Sequence, residues 1–469
     1  MKANLKWRIP ILLLSIFAVC LLAACGHKDS AELPPSQETG PAVTPVPGQE
    51  QEIDPNKEVL IYAQTTPMDG YSSFRRDVID KFNRTHDGVQ IVVKDYSNTP
   101  TDDQGLERLL VEMAAGQVPD IIDLGGSLPF QQMVRKGYLE DLWPYIENDL
   151  DMGREGVLEG PLKAAEADGG LYMLFGAVTL ETLVGSAAAV GDRTSWTFQE
   201  LQDAFANMPE GSTILRFDTS RESIAGMLTR YAVGSYVDWE TGTCSFDSPS
   251  FRSMLEFIRM FPGSEELEPE VASLGDVWDA VIREGEARQR KGLQMLEDPG
   301  YLALDSLPVY DMTWGGRCAF IGYPVEDGST GSMFRPVGAT LGISSACKNK
   351  EAAWEFIRTV MTDPPAEQSC IPLKRDKYEL KRTTAMTMRA LVDYNTVTHE
   401  ELYAPPLTEE RVREFEEFFN SIDKIDIWDR EMFFLIREIC DPYLAGAKTL
   451  DETVDLLQNR VGLYVSEQM

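Results

Sequence analysis

The apolar positions of this 469-residue chain change their period as the chain proceeds. From Glu58, the run Val59-Leu60-Ile61-Tyr62-Ala63 reads as a short buried strand. Tyr71, Phe74, Val78 and Phe82 then recur on one helical face, and Val89-Gln90-Ile91-Val92-Val93 forms a second strand. A helix through Leu106, Leu110 and Met113 closes near Gly116. Pro119 to Leu124 makes a third strand that runs into Gly125-Gly126, and the helix beyond it stops at Gly137, a left-handed C-cap. Strand-helix alternation of this kind predicts an α/β fold with a largely parallel, doubly wound sheet.

The middle of the chain reads as mostly helical. Thr197-Phe198-Gln199-Glu200 has the form of a capping box. Ser248-Pro249 opens another helix, with Phe251, Leu255 and Ile258 along one face. Strand patterns return at Cys318–Ile321 and Ala339–Ile343. A helix over Lys350–Met361 buries Ala353, Trp354, Ile357 and Val360. At the C-terminus Thr449-Leu450-Asp451-Glu452 is a second box, followed by a core-facing stripe of Leu450, Val454, Leu457, Val461 and Tyr464. No internal repeat is apparent.

Ahead of the body, residues 26–57 contain Pro34, Pro35, Pro41, Pro45 and Pro47 and almost no bulky apolar side chains, so they cannot pack a core. They read as a semi-stiff, disordered tether. Before it, the basic residues Lys2, Lys6 and Arg8 lead into an apolar run from Ile9 to Leu22, which ends in Leu22-Ala23-Ala24-Cys25. That order predicts an export signal over residues 1–24, cleaved before Cys25 so that this cysteine carries acyl chains. The run is too short for a comfortable bilayer span, which wants about 20 apolar residues. The body is thus expected on the extracytoplasmic face of a bacterial membrane, lipid-anchored, in a Gram-positive setting.

Charge narrows the partners. The chain carries a net −33, and loss of Lys2, Lys6 and Arg8 with the signal takes it to −36. Such a surface repels nucleic acid. Only His27, His86 and His399 are available as imidazoles, which argues against a histidine metal site or a conventional triad, and no cofactor is expected. Cys244, Cys318, Cys347, Cys370 and Cys440 form no close pair; one disulfide or buried free thiols both fit. The roughly 410 residues after the tether suit two lobes rather than one core.

Several segments, taken in order, resemble the family 1 extracellular solute-binding proteins of ABC importers, the group that includes maltose-binding protein. They are Gly116-Gln117-Val118-Pro119-Asp120-Ile121-Ile122, Asp168-Gly169-Gly170-Leu171-Tyr172, Ser195-Trp196-Thr197-Phe198-Gln199-Glu200-Leu201, and Gly342-Ile343-Ser344-Ser345-Ala346 followed by Asn349 to Ile357. Gln458-Asn459-Arg460-Val461 is similar to the tail of Gram-positive members. The resemblance covers Glu58 to the C-terminus. It implies a two-lobe, type II periplasmic-binding-protein-like fold, with crossings near Val178–Leu183, Arg335–Thr340 and Pro372. The first lobe would comprise residues 58–178 with 338–372, and the second 182–335 with 376–469. It further implies hinge closure on a sugar or oligosaccharide, delivery to permease subunits, and a monomer without catalytic residues.

Ligands of open sheets sit beyond the carboxyl ends of strands. Gln64, Thr65 and Tyr71 follow the first strand, and Gly126, Ser127 and Phe130 the third. Phe175 and Thr179 lie at the presumed first crossing. Gly315 to Pro324 resembles the family segment that brings an aromatic residue to the cleft, with Tyr323 before the proline and Val325 where the maltose binder has tryptophan, so long maltodextrins are not supported. Trp239 and Trp314 are candidate stacking rings, with Tyr236 and Trp278 behind them. Two other classes compete: a surface sensor or adhesin on the same fold, and a polysaccharide hydrolase. The hydrolase needs two positioned carboxylates. Among 76 acidic residues, neighbours such as Glu140 and Asp141 occur by chance, so they single out no such pair.

Overall fold

The computed structural model describes residues 53–467 apart from 66–72, 98–103, 126–127, 192, 216–219, 233–234, 240, 267–284, 286, 290, 363–368, 395–400 and 427–429. The export signal, Cys25, most of the tether, Tyr71, Gly126, Ser127 and Trp278 lie outside the described residues.

The apolar run at 59–63 is the centre of the first sheet. Strand β1 (Glu58–Gln64) pairs in parallel with β2 (Val89–Asp95) on one side and β3 (Ile121–Asp123) on the other. The sheet order is completed by a later antiparallel strand, Leu341–Ile343, against β3. Helices on its faces are fixed by residues the pattern marked. Val78, Phe82 and Met113 are buried as marked, whereas Leu106 and Leu110 are only partly buried and Leu109 takes the fully buried position; Gly137 takes φ +67° where the helix Phe130–Arg135 has ended.

The chain then crosses. Strand β4 (Ala177–Glu181) is buried along its whole length and leads into β5 (Val184–Ser186). A short hairpin, β6 (Val237–Asp238) and β7 (Thr243–Cys244), follows. In the second sheet β5 lies between β8 (Leu296–Glu297) and β9 (Cys318–Phe320), antiparallel to both. Thr213 and Ile214 extend that sheet beyond β8, Thr213 bridging Gln294 in parallel. Strand β10 (Met333–Val337) returns against β4, after which the first sheet's last strand is β11 (Leu341–Ile343). Strand β12 (Ile371–Pro372) covers the other edge of β4. The three expected crossings therefore make one small sheet, β10-β4-β12. An exposed hairpin, β13 (Ala390–Tyr394) and β14 (Glu401–Ala404), completes the strands.

Two large apolar clusters follow from this path. One holds β1–β3 and β11 and runs on through Val178, Leu180 and Phe334 to Leu302, Leu307 and Phe320 and to Phe415, Phe418 and Phe419 of the helix Glu409–Ser421. The other gathers Leu183, Trp196, Phe198, Phe246, Phe251 and Ile258 with Ile439, Val454, Leu457 and Val461 of the C-terminal helices. The helix Pro249–Arg259 alone contributes five buried apolar side chains. At about 1.5–3 kcal/mol each, that face outweighs any intrinsic propensity. Both capping boxes form, at Thr197/Glu200 and Thr449/Glu452. The helix read over Lys350–Met361 is split, ending at Ile357 with a separate turn from Thr359 to Thr362.

All five described cysteines are free thiols. Burial pushes Cys347 and Cys440 up to about 12 and Cys318 well above the usual thiol range, so these groups stay protonated. Cys318 belongs to a buried ionic knot. Arg411 donates to both oxygens of Asp311 (2.9 and 2.7 Å) and to the Cys318 carbonyl (2.8 Å), with its guanidinium 4.6 Å from the Phe320 ring centroid. The knot ties the helix Glu409–Ser421 to β9. A buried pair that loses one member leaves an uncompensated charge. Arg411→Met is expected to lower unfolding stability by about 3–5 kcal/mol in urea denaturation, and Arg411→Met with Asp311→Leu to recover most of that loss.

The hinge depends on a glycine for a packing reason. A Cβ on Gly176, immediately before β4, would fall inside the Val360 carbonyl. Gly176→Ala is expected to cost about 1–3 kcal/mol by overpacking, read as a lower midpoint in thermal unfolding.

Candidate functional site

The carboxyl ends of β1 and β3 lie side by side because both strands run the same way next to each other. Gln64 and Thr65 are buried there. The Thr65 hydroxyl donates to the Asp123 carbonyl at 2.7 Å and lies 3.0 Å from the Gly125 carbonyl. The Asp123 carboxylate is itself fully buried and accepts from the Gly125 amide at 3.1 Å. Buried polar groups at this edge of a parallel sheet are where ligand recognition is built in such folds. Asp123 had no distinguishing sequence signal, since an acid at the end of a short apolar run also reads as a strand terminator.

The rest of the predicted set separates by environment. Phe130 is buried in the first cluster at the start of its helix, and Phe175 and Thr179 have no exposed surface. The Thr179 hydroxyl donates to the Leu302 carbonyl at 3.3 Å, which pins β4 to the segment before the helix Leu307–Thr313. Tyr323 is also fully buried, its hydroxyl donating to Asp298 at 3.1 Å. Tyr236 is likewise buried in the second cluster, and burial raises its hydroxyl above the usual tyrosine range. These side chains shape the walls; they offer no free face.

Trp239 is half-buried at the hairpin β6–β7, and its carbonyl accepts from Arg135 at 2.9 Å. Arg135 ends a helix of the first cluster, so this bond runs from one half of the molecule to the other. Trp314, half-buried after the helix Leu307–Thr313, lines a cavity of about 780 Å³. Among the described residues, all of that cavity's lining lies between residues 186 and 315, with none from β1–β3.

The hinge brings forward residues that pattern reading missed. Glu181, only 1% exposed, forms an ion pair with Arg335 on the neighbouring strand. Arg335 also donates to the Gly300 carbonyl at 2.6 Å, and its guanidinium stands 5.0 Å from the Tyr301 ring centroid. Tyr301 is 46% exposed, which leaves an accessible aromatic ring beside the crossing strands. An acid buried inside an apolar strand was the signal available for this group. Among the described residues no cluster of His, Cys, Asp and Glu is arranged to hold a metal ion, and no helix is long and apolar enough to cross a membrane.

Thr65→Val tests the edge of the first sheet. Loss of the hydroxyl removes its bond to the Asp123 carbonyl, and a lost buried hydrogen bond costs about 0.5–1.5 kcal/mol. The expected outcome is a lower unfolding midpoint in denaturant with the secondary structure unchanged by circular dichroism.

Comparison with known proteins agrees with this geometry. Residues 65–213 match the family of bacterial extracellular solute-binding proteins. The sugar-binding protein MalE from Xanthomonas citri aligns with a TM-score of 0.50 and 14% identity over 87% of this chain and 98% of its own. A family 1 extracellular solute-binding protein from Alicyclobacillus acidocaldarius gives 0.49 and 14% over 88% and 100%. The galacto-N-biose-/lacto-N-biose I-binding protein of a Bifidobacterium longum ABC transporter gives 0.48 and 15% over 88% and 98%. No curated protein sequence matches the chain. Residues 65–213 thus resemble the bacterial extracellular solute-binding proteins, and the chain as a whole shares the two-lobe type II fold of MalE.

Proposed function

We propose that the mature chain is a lipid-anchored receptor, held to the outer face of the cell membrane through acylated Cys25. It captures a sugar or short oligosaccharide between its lobes and passes it, unchanged, to an ABC permease. The observation that carries this reading is the hinge sheet: β4, β10 and β12 lie in register, β4 leading into the second sheet and β10 returning to the first. Two lobes joined this way can rotate about it and enclose a solute. We place the lobe boundaries at 58–178 with 338–372 and 182–335 with 376–469, the changes of lobe falling on these strands.

Recognition of a sugar needs flat rings and a few fixed polar groups in a concave wall. Tyr301 supplies a ring beside the crossings and Trp239 one at the β6–β7 hairpin, and Gln64, Thr65 and Asp123 supply polar groups at the strand ends. Tyr71, Gly126 and Ser127 follow those same strand ends in sequence and are proposed ligand contacts. The MalE of Xanthomonas citri, which shares the fold, is a sugar-binding protein.

Binding to the folded state alone raises the unfolding midpoint in proportion to occupancy. A thermal-shift screen of the full chain against mono- and oligosaccharides, amino acids and oligopeptides is expected to give stabilisation by saccharides. Solution scattering with a stabilising saccharide should show a smaller radius of gyration. Stabilisation by peptides or amino acids alone, or no contraction at saturation, would reject this reading.

A further inference from the structure

The second sheet carries a cavity that the cleft reading does not use. Strands β8 and β9 both run antiparallel to β5, and Thr213 bridges Gln294 in parallel, so three segments enter the sheet at the same end. The cavity lies at that entrance. Ser186, the last residue of β5, Gln294 just before β8, and Trp314 four residues before β9 all line it. It is therefore at the amino ends of the parallel-running strands, opposite the edge where a hinged cleft forms.

Its chemistry is specific. Gln294 is 1% exposed and Gln289 6% exposed. The amide of Gln294 donates to the Leu296 carbonyl at 2.9 Å, and that of Gln289 to Glu297 at 3.3 Å. Those bonds fix which way each amide points and leave both Oε1 acceptors buried without a partner. Trp314 Nε1, a donor, is likewise buried and unpartnered. Two unmet acceptors and one unmet donor around a single cavity are a pattern that native interiors avoid unless something meets them. At the mouth Arg193 and Glu200 pair at 3.3 Å and cancel each other's charge.

We propose that this cavity is a second binding site, for a neutral saccharide of one or two rings. Hydroxyl groups both donate and accept, so one such molecule can serve the two glutamine carbonyls and the indole N–H once these side chains turn toward it, with the Trp314 ring as an apolar wall. The volume of about 780 Å³ lies inside the usual range of small-molecule sites, roughly 300–1,000 Å³. The described lining of the site lies between residues 186 and 315, and the site stands independently of closure over the cleft.

The test uses the full chain labelled with 5-fluorotryptophan, the Trp314 resonance being assigned from Trp314→Phe. Sucrose and trehalose are the neutral probes, with glucose 6-phosphate and spermidine as charged comparators. A saturable shift of the Trp314 resonance with a neutral disaccharide is expected. Ala204→Phe in the wall and Asn207→Phe on the exposed rim should each weaken that response by about tenfold or more, as expected for lost contacts in a filled site. The rim variant preserves the test should the wall variant misfold. A resonance unmoved by either disaccharide up to about 0.1 M, a response to charged probes alone, or a shift that persists in both folded plug variants would overturn the proposal. Contraction in solution scattering reports the cleft separately: its loss with the Trp314 response intact would count against the cleft alone.

Discussion

The buried contact between Glu181 and Arg335 governs how the two halves meet. Both residues sit on hinge strands, and the acid is shielded from water, so its charge is tolerable only while the guanidinium stays beside it. Neighbouring interactions brace the same place. Thr182 and Ser332 hydroxyls lie 2.9 Å apart across the crossing, and Thr179 and Leu180 both bond the Leu302 carbonyl. These polar contacts sit on strands whose apolar side chains, Val178, Leu180 and Phe334, pack in the first cluster, so the crossing joins an apolar face to a polar brace.

The elements with strong period were legible, and the reason is burial. Val59 to Ala63 and Ile121 to Ile122 are flanked on both faces, so their apolar runs are continuous and their strand character unambiguous. Capping boxes were equally readable because they are local: Thr197 and Glu200 satisfy each other's backbone within one turn. The crossings near Val178, Arg335 and Pro372 were placed by resemblance, not by period; a strand such as β12, of two residues, carries no pattern of its own.

The site was harder to see for a matching physical reason. An aromatic residue looks the same in sequence whether its ring faces a core or a cleft. Phe130, Phe175 and Tyr323 lie wholly inside the packing, whereas Tyr301, without a motif around it, keeps nearly half its surface. Glutamines 289 and 294 also gave no signal, because a polar residue near a turn is ordinary. Only the tertiary arrangement shows that their carbonyls are shut away from water and unmatched.

That contrast bears on how the second sheet is specified. Most of its interior polar groups are spoken for: Trp196 Nε1 donates to the Gly322 carbonyl, and the Arg411 guanidinium is satisfied by Asp311 and the Cys318 carbonyl. Against this background, three unmet groups belong to residues that line one cavity at one end of the sheet. Leucine or methionine would fill those positions with less free-energy cost if stability were the only constraint. The polar side chains at 289, 294 and 314 give up stability in the empty protein, and a hydroxylated guest would return it. The same reasoning separates this cavity from the hinge, where every buried charge has its partner inside the fold.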